Sequence, residues 1–311
     1  MAGIGGTLAQ GCYGMALAVN MLWVAGAIKL TSFLPLGTLQ HQQLSLFLLQ
    51  TCWRIALLFA PWIRFQPDED YLDQWTLIVN MMAEHQAEAR EKGQRPSPLF
   101  VIANHTSFLD TILGVAKFPT QIITKCRTYM DHHLFKLPVL ATICRAIGHF
   151  PVYFKSDGEG HFQVDLERMK DTEKKVDAHL ANGGWICFFP EGTMNKNPDK
   201  LLPFRYGGMK KAIQEDARIA IMVFHNNPGV WPRKCLIGGF PGKVRYNLKP
   251  LAPFSVKEFL AMARAEGAPE EKDMKDHEIL ARRLQELMQA QYDSLAKDAE
   301  KEARGKDKKR D

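Results

Sequence analysis

The sequence predicts an α/β fold with a mixed, mainly parallel sheet flanked by helices, preceded by an N-terminal membrane-embedded helical hairpin. The sheet is predicted because short apolar runs alternate with helical patterns from Leu99 onward. The hairpin is predicted because two long apolar segments precede residue 66. With 311 residues, of which 46% are hydrophobic, the chain can bury a substantial core.

The two apolar segments differ in their charge. The first runs from Gly11 to Ile28 without a formal charge and approaches the length that crosses a hydrocarbon core. No Lys or Arg precedes it, so the basic region of a signal peptide is missing. The second, Leu44 to Phe65, carries Arg54 at its middle, which is unfavourable in a helix facing lipid. A re-entrant or half-embedded hairpin over residues 11–65 accommodates both; two buried helices of a soluble protein are the alternative.

After Pro67 the chain becomes polar, and the pattern predicts an amphipathic helix that lies on the membrane or packs on the following domain. Its apolar residues recur at helical spacing: Leu72, Trp75, Val79 and Met82. The stretch GQRPSP, residues 93–98, is typical of a linker.

From Leu99 the predicted strands are LFVIAN, QIITK, PVYFK, WICFFP, RIAIMVFH and KVRYNLKPL, with helices between them, including one over residues 162–180. A C-terminal helix begins near Lys275, with one apolar face: Ile279, Leu280, Leu284, Leu287, Met288 and Leu295. The predicted division is a hairpin over 1–67, an amphipathic helix and linker over 68–98, an α/β domain over 99–255, and a helix with a charged tail over 256–311.

Composition excludes several classes of function. The net charge of +6 and the pI of about 8.9 suit contact with anionic lipid surfaces or phosphorylated substrates. No zinc-finger, RNP-type or basic-zipper pattern is present, so nucleic acid is not an expected partner. The six cysteines lack C-x-x-C spacing, which argues against both a disulfide scaffold and a zinc site.

Residues 104–110, NHTSFLD, follow a predicted strand and permit two interpretations. In the simpler one, Ser107 caps a helix, Asp110 fills the acidic position three residues on, and His105 is a loop residue. In the other, His105 stands before the helix and the Asp110 carboxylate reaches back to one imidazole nitrogen, which leaves the opposite nitrogen basic. The local pattern leaves both open.

A second stretch, FPEGT at residues 189–193, directly follows a predicted strand. Together, H-x-x-x-x-D (His105 and Asp110), GHFPVYFK (Gly148 to Lys155) and FPEGT resemble the three blocks of the glycerolipid acyltransferases typified by 1-acylglycerol-3-phosphate acyltransferases. The resemblance covers roughly residues 99–255, and the order and spacing of the first and third blocks are specific.

The resemblance implies that His105 is the general base for a glycerol hydroxyl and that Asp110 orients it. The hydroxyl oxygen would attack the thioester of acyl-CoA or acyl carrier protein without an acyl-enzyme. The acceptor would be lysophosphatidic acid, bound by Glu191, Gly192 and Thr193. No metal or cofactor is implied, and acyl-CoA is a co-substrate.

Some positions depart from the family pattern. Lys155 and Met194 stand where the family usually has Arg, and Arg205 in LPFRYGG matches a basic position. Neither Lys nor Met can bind two phosphate oxygens as the guanidinium group of Arg does, so glycerol 3-phosphate or another lysophospholipid is an alternative acceptor. A non-catalytic lipid-binding protein and a lipid hydrolase are alternatives of another class, although the G-x-S-x-G elbow of serine hydrolases is missing.

Two further features concern the ends of elements. At the end of the strand RIAIMVFH, the polar residues His225, Asn226 and Asn227 are interpreted as turn formers, with a place in the site as the alternative. The final residues, Lys308 to Asp311, resemble the dilysine retrieval signal of endoplasmic reticulum membrane proteins. The expected location is therefore the endoplasmic reticulum membrane, with the catalytic domain on the cytosolic side. The sequence does not indicate an oligomeric state.

Overall fold

The computed structural model describes residues 4–156 and 162–307. The helices are α1 (Ile4–Thr31), α2 (Thr38–Leu58), α3 (Tyr71–Glu91), α4 (Phe108–Lys117), α5 (Thr120–Ile123), α6 (Pro138–Ile147), α7 (Leu166–Ala181), α8 (Tyr206–Gln214), α9 (Asn227–Val230), α10 (Val256–Glu266) and α11 (Asp276–Asp307). The strands are β1 (Ile63–Pro67), β2 (Leu99–Ala103), β3 (Cys126–Arg127), β4 (Tyr129–Asp131), β5 (Phe150–Val152), β6 (Phe154–Ser156), β7 (Phe162–Val164), β8 (Trp185–Phe188), β9 (Arg218–His225) and β10 (Gly242–Ser255).

The chain forms two compact units, each built from separate segments. The first contains the segment up to Gln10, Pro61–Thr111 and the chain from Phe188 onward, and the second contains Gly11–Ala60 and Ile112–Cys187. The domain boundaries predicted at residues 67, 98 and 255 all fall inside the first unit.

In the first unit the strands lie in the order β1, β10, β9, β2. β1 pairs with β10 and β2 with β9 in parallel, while β9 and β10 are antiparallel. Every residue of β2 is buried, as is the interior of β9. Strands covered on both faces are nearly continuous apolar runs, which explains their sequences. Helices α3 and α10 pack on β10, and α11 packs on β9. The predicted α/β fold with a mixed, mainly parallel sheet flanked by helices is confirmed.

Helix α3 buries a different face from the predicted one. Trp75 and Met82 are buried as predicted, but Leu72 is 73% exposed, whereas Tyr71 and Ile78 are buried. The buried positions 71, 75, 78 and 82 keep the helical period, with Tyr71 and Ile78 in place of the predicted Leu72 and Val79. The rotation lets Tyr71 pack edge-to-face against Tyr246 of β10, with ring centroids 4.9 Å apart.

The C-terminal helix α11 buries most of its predicted face. Ile279, Leu280, Leu284, Met288 and Leu295 are buried, while Leu287 lies at the edge and is 41% exposed. Because α11 contacts both β9 and α8, this face is part of the core of the first unit. The dilysine-like residues Lys308 to Asp311 lie outside the described residues.

The second unit contains the parallel pair β3–β8 and two smaller pairs, parallel β4–β5 and antiparallel β6–β7. The predicted strand QIITK is wrong, because its residues form the one-turn helix α5 after Pro119. Its adjacent residues Ile122 and Ile123 are both buried, so an apolar run this short fits either structure. The helix predicted over 162–180 starts at Leu166, where Asp165 caps it, and β7 precedes it.

The predicted hairpin range contains α1, α2 and β1. The helices contact each other where the Cys52 thiol meets the Asn20 carbonyl, 3.3 Å away. Arg54 donates to the carbonyls of Ala116 and Phe118 beside the end of α4, so it satisfies a helix end within the second unit. The last five residues of the range form β1 in the first unit, so the helical part ends at Leu58.

Among the described helices, α1 has one stretch, Gly5–Thr31, that is long and apolar enough to cross a membrane. A third of its most apolar window is buried inside the protein. The exposed side of α1 carries large apolar residues: Leu8, Met15, Val19, Leu22, Trp23 and Leu30. A signal sequence or a core helix satisfies the same test of length and composition. The membrane-embedded hairpin therefore stays a prediction.

Candidate functional site

The site in the first unit is built where β2 ends and α4 begins. β2 ends at Ala103 and α4 starts at Phe108, so His105 lies on the turn between them and Asp110 lies in the first turn of the helix. The Asp110 carboxylate is fully buried, and its Oδ2 accepts hydrogen bonds from the backbone N–H groups of Thr106 (2.6 Å) and Ser107 (2.8 Å). The same oxygen lies 3.1 Å from Nδ1 of His105. Asp110 thus caps its own helix and holds the imidazole.

Ser107 shows why both interpretations of NHTSFLD describe this turn. Its hydroxyl accepts a hydrogen bond from the backbone N–H of Leu109 (3.2 Å) and donates to the carbonyl of Trp231 (2.8 Å). The hydroxyl therefore caps α4 and ties the turn to the loop after α9. The cap starts the helix at the point that leaves His105 outside it.

Asn227 completes the surroundings of the carboxylate. Its side-chain amide donates to Oδ1 of Asp110 at 2.5 Å, and its side chain is fully buried. Asn227 follows β9, next to β2 in the sheet. The sequence signal, polar residues at the end of a strand, had favoured the turn interpretation over a place in the site. Asn226 does form a turn, with φ of +68° and its amide on the carbonyl of Lys243, whereas Asn227 belongs to the site.

The two strands under the site are joined at their ends by Asn104. Its amide donates to the carbonyl of Phe224 (2.9 Å), and its side-chain oxygen accepts from the Phe224 N–H (2.8 Å). This reciprocal pair, buried in the core, extends the β2–β9 ladder by one side chain. It fixes the turn that carries His105 relative to the strand that carries Asn227.

The His105 ring is held on its face as well as at Nδ1. It stacks on Phe189 with ring centroids 4.1 Å apart and planes 10° apart. The side chain is 17% exposed, and Nε2 has no hydrogen-bond partner among the described residues. If Nδ1 carries the proton toward Asp110, Nε2 is a free base.

Glu191 holds the backbone of the same turn. It is 1% exposed, and its carboxylate accepts from the His105 N–H (2.9 Å), the Asn195 side-chain amide (2.8 Å) and the Leu202 N–H (2.9 Å). Burial raises the pKa of this carboxyl group, while these hydrogen bonds act in the opposite direction. The carboxylate is engaged by protein donors, so in this structure it positions His105. The binding of an acyl acceptor by Glu191 stays a prediction.

The residues after Glu191 form a tight turn against Arg205. Gly192 has φ of +69°, and a Cβ added to it would lie 2.9 Å from Cγ of Arg205. The backbone N–H of Arg205 donates to the carbonyl of Pro190 (2.8 Å), where α8 begins. Gly192, Thr193 and Arg205 are exposed, so their polar groups are accessible to a ligand.

Part of the chain is similar to a known protein family. Residues 84–224 match the family described as Acyltransferase. This part of the chain is similar to the acyltransferase family. The matched range includes His105, Asp110, Glu191 and Arg205. Comparison with curated protein sequences gave no match.

The fold of the chain is similar to that of a solved acyltransferase. The crystal structure of the 1-acyl-sn-glycerophosphate (LPA) acyltransferase PlsC from Thermotoga maritima superposes with a TM-score of 0.62. The match covers 94% of this chain and 97% of that one, at 15% sequence identity. At this identity the similarity concerns the fold.

Lys155, which lies within the range that matches the family, belongs to the second unit. It sits on β6, its side chain is 61% exposed, and Nζ lies 3.1 Å from Oδ1 of Asp165. The second unit also has one group of possible metal ligands among the described residues, Asp131, His132 and His133, with ligand atoms within 4.8 Å of one another. These residues are adjacent in sequence and lie outside the site at His105. The expectation that the enzyme needs no metal stays a prediction.

Proposed function

We propose that the protein is a membrane-bound acyltransferase that transfers a fatty acyl group from acyl-CoA to the free hydroxyl of lysophosphatidic acid, giving phosphatidic acid. The observation that carries the proposal is the His105–Asp110 pair, 3.1 Å apart, with the carboxylate fixed by two backbone N–H groups and Asn227. A carboxylate held this rigidly fixes the tautomer of the imidazole and stabilises the imidazolium that forms during catalysis.

In the proposed reaction, Nε2 of His105 removes the proton of the acceptor hydroxyl while its oxygen attacks the thioester carbonyl. The tetrahedral intermediate collapses with cleavage of the carbon–sulfur bond. The leaving thiolate takes the proton back from the imidazolium, which leaves His105 neutral for the next turnover. The acceptor itself supplies the nucleophile, so no Ser or Cys of the protein forms an acyl-enzyme.

The acceptor is proposed to bind at the exposed turn of Gly192 and Thr193, with Arg205 beside it. An arginine fork can bind two oxygens of a phosphomonoester. Met194, next to this turn, adds no charge for a phosphate group, so glycerol 3-phosphate or another lysophospholipid is the second candidate acceptor. Lys155, paired with Asp165, is proposed to contribute charge to substrate binding.

The exposed apolar side of α1 supports the proposed attachment to a membrane. We propose the endoplasmic reticulum, with the catalytic domain facing the cytosol, where acyl-CoA is the donor; acyl carrier protein is the alternative donor. The expected lipid contacts are therefore a membrane surface and a lysophospholipid acceptor.

The test is acyl transfer by the full chain in detergent, with radiolabelled oleoyl-CoA or oleoyl-acyl carrier protein as donor. Lysophosphatidic acid, glycerol 3-phosphate and lysophosphatidylcholine are compared as acceptors. A higher rate of transfer to lysophosphatidic acid than to the other two acceptors supports the proposal. Preference for another acceptor contradicts the substrate assignment, and release of free fatty acid without an acceptor identifies a hydrolase instead.

The proposed base is tested with His105→Ala. Removal of a general base lowers the rate by about 10²–10⁴-fold. His133→Ala, which truncates a histidine with a 68% exposed side chain, is the matched control and should retain the wild-type rate. Unchanged transfer by His105→Ala, with a thermal unfolding curve like that of the wild type, would refute the role of His105. No transfer by the folded wild type with any donor would leave a lipid-binding protein as the explanation.

A further inference from the structure

The second unit contains a large cavity whose lining is cationic. Its volume is about 790 Å³, within the range of small-molecule sites. Five of its lining residues are cations, contributed by β3, α6, α7 and the 3₁₀ turn 132–136: Arg127, Lys136, Arg145, Arg168 and Lys175. None of the described residues that line the cavity is acidic. The lining therefore concentrates positive charge, and the Asp165 carboxylate that interacts with Arg168 is not a lining residue.

Arg127 distinguishes this cavity from a surface that merely carries lysines. Its side chain is 1% exposed, yet no carboxylate of the described chain pairs with it. The guanidinium donates to the Cys126 carbonyl (2.9 Å) and to the side-chain oxygen of Gln42 (3.3 Å), both neutral acceptors. Nε is buried and has no hydrogen-bond partner among the residues that the structure describes. A buried cation without an anion is costly, and it retains a donor for a ligand.

Two histidines of the cavity, His149 and His179, add no charge to that of the five cations. Burial and the nearby Arg127 cation lower the pKa of His149 to about 3. The same two causes lower the pKa of His179 to about 4. Both rings are therefore neutral near pH 7. The backbone N–H of Thr128 donates to Nδ1 of His149 (3.3 Å), which is possible only if this nitrogen carries no proton, as in a neutral ring.

The N-terminus of α2 also faces the cavity. Thr38 and Leu39, the first residues of this 21-residue helix, are among the lining residues. Its first turn has no acidic residue, so the positive end of the helix dipole is not compensated there. A helix N-terminus and an unpaired buried arginine both favour an anion.

We propose that this cavity binds an anion carrying at least two phosphate groups. One phosphate group is expected at Arg127, whose side chain is buried, and at the exposed start of α2. The other is expected at the exposed amines of Lys136 and Lys175, which pair with no carboxylate in the described ranges. Two sources offer this chemistry: a soluble nucleotide, such as the bisphosphate nucleotide of coenzyme A, or a phosphorylated lipid headgroup. The coenzyme A source would rest on the proposed function; the anion site itself does not.

The experiment is calorimetric titration of the full chain in detergent, in phosphate-free buffer. Adenosine 3′,5′-bisphosphate is the probe for a nucleotide, inositol 1,4,5-trisphosphate for a lipid headgroup, and uncharged adenosine the blank. We expect micromolar binding of one of the two phosphate probes, weakened at least tenfold between 50 and 300 mM salt. The probe that binds identifies the source. Binding of neither probe, or equal binding of adenosine, overturns the proposal.

Variants locate the binding in the cavity. Lys136→Gln combined with Lys175→Gln should weaken binding at least tenfold, whereas Lys174→Gln, a neighbour on α7 that does not line the cavity, should not change it. Arg127→Gln should abolish binding without lowering the melting temperature of the free protein, because it removes an unpaired buried charge. Binding that persists in the double variant and in Arg127→Gln overturns the proposal.

The variant His105→Ala separates this proposal from the proposed function, because His105 does not line the cavity. If acyl transfer is lost while probe binding is unchanged, both proposals are supported. If the wild type transfers acyl groups but binds neither probe, the anion site is overturned and the proposed function stands. If the wild type binds a probe but transfers nothing, the anion site stands alone.

Discussion

The side-chain amide of Asn227 donates to Oδ1 of Asp110 at 2.5 Å, while Oδ2 of the same carboxylate faces Nδ1 of His105 at 3.1 Å. The amide is therefore the third member of a buried chain that ends at the imidazole. We expect Asn227→Ala to remove a hydrogen bond to a buried charge, which costs about 1.5–3 kcal/mol in the free energy of unfolding.

The same variant should lower the rate of acyl transfer by about tenfold or more, since 1.4 kcal/mol lost in the transition state is a factor of ten. Steady-state kinetics and thermal unfolding on one preparation measure both effects. Asn226→Gly is the control, because it keeps the left-handed turn and should leave turnover unchanged. Full activity of Asn227→Ala would show that Asp110 orients His105 without the hydrogen bond from Asn227.

Glu191→Gln tests whether this carboxylate positions His105 or binds the acceptor. The Glu191 carboxylate accepts three hydrogen bonds from N–H groups, and the NH₂ group of a glutamine would face one or more of these donors. The lost hydrogen bonds should lower the free energy of unfolding by about 1–3 kcal/mol. A positioning role predicts a lower kcat with an unchanged KM for the acceptor. A higher KM at constant kcat would instead support acceptor binding. Glu88→Gln, at an exposed carboxylate on α3, is the control.

Gly192 should not tolerate a side chain. Gly192→Ala places a Cβ 2.9 Å from Cγ of Arg205 at φ of +69°, so the turn must shift and Arg205 with it. We expect a loss of about 1–3 kcal/mol in the free energy of unfolding and a higher KM for a phosphate-bearing acceptor. In Gly207→Ala the added Cβ meets nothing within 4 Å, and this helical substitution should stabilise the protein. If Gly192→Ala and Gly207→Ala changed the free energy of unfolding equally, the strain inferred for the turn at Gly192 would be contradicted.

Acid should destabilise the protein through His149 and His179. Their pKa values, about 3 and about 4 when folded against 6.5 otherwise, mean that the unfolded chain binds protons below pH 6.5 while the folded chain does not. The free energy of unfolding should therefore fall as the pH is lowered from 6.5 to 4, by up to about 1.4 kcal/mol per pH unit for each histidine.

Urea unfolding at several pH values, without phosphate, measures this slope. His149→Asn and His179→Asn should each flatten it, whereas Lys174→Gln, which removes an exposed charge on α7, should not. A stability that stays constant from pH 6.5 to 4 would show that the two rings are protonated in the folded protein.

Leu22→Glu should weaken membrane association. The Leu22 side chain is 63% exposed on the apolar side of α1, and a carboxylate there must enter the lipid or keep the helix out of it. We expect at least a tenfold loss of binding to phosphatidylcholine vesicles in a flotation assay. Leu72→Glu makes the same change at a residue 73% exposed on α3. If Leu72→Glu releases the protein and Leu22→Glu does not, α3 is the membrane-binding helix.

Local patterns of the sequence predicted where α4 starts, but they left the role of His105 open. The turn before α4 depends on residues within one helical turn, so the positions of His105 and Asp110 followed from the cap at Ser107. The strand β2 is a buried apolar run that its composition identifies. Short segments without a clear period, such as α5, are compatible with either structure, and their prediction failed.

The sequence by itself determined the β/α alternation and the start of α4 after His105, because each depends on neighbouring residues. The tertiary structure decided which face of α3 is buried, that Glu191 supports His105, and that Asn227 meets Asp110 from 117 residues away. It also decided that Arg127 is a buried cation without a counterion. These relationships depend on sheet order and register, which bring distant segments together and which no local pattern specifies.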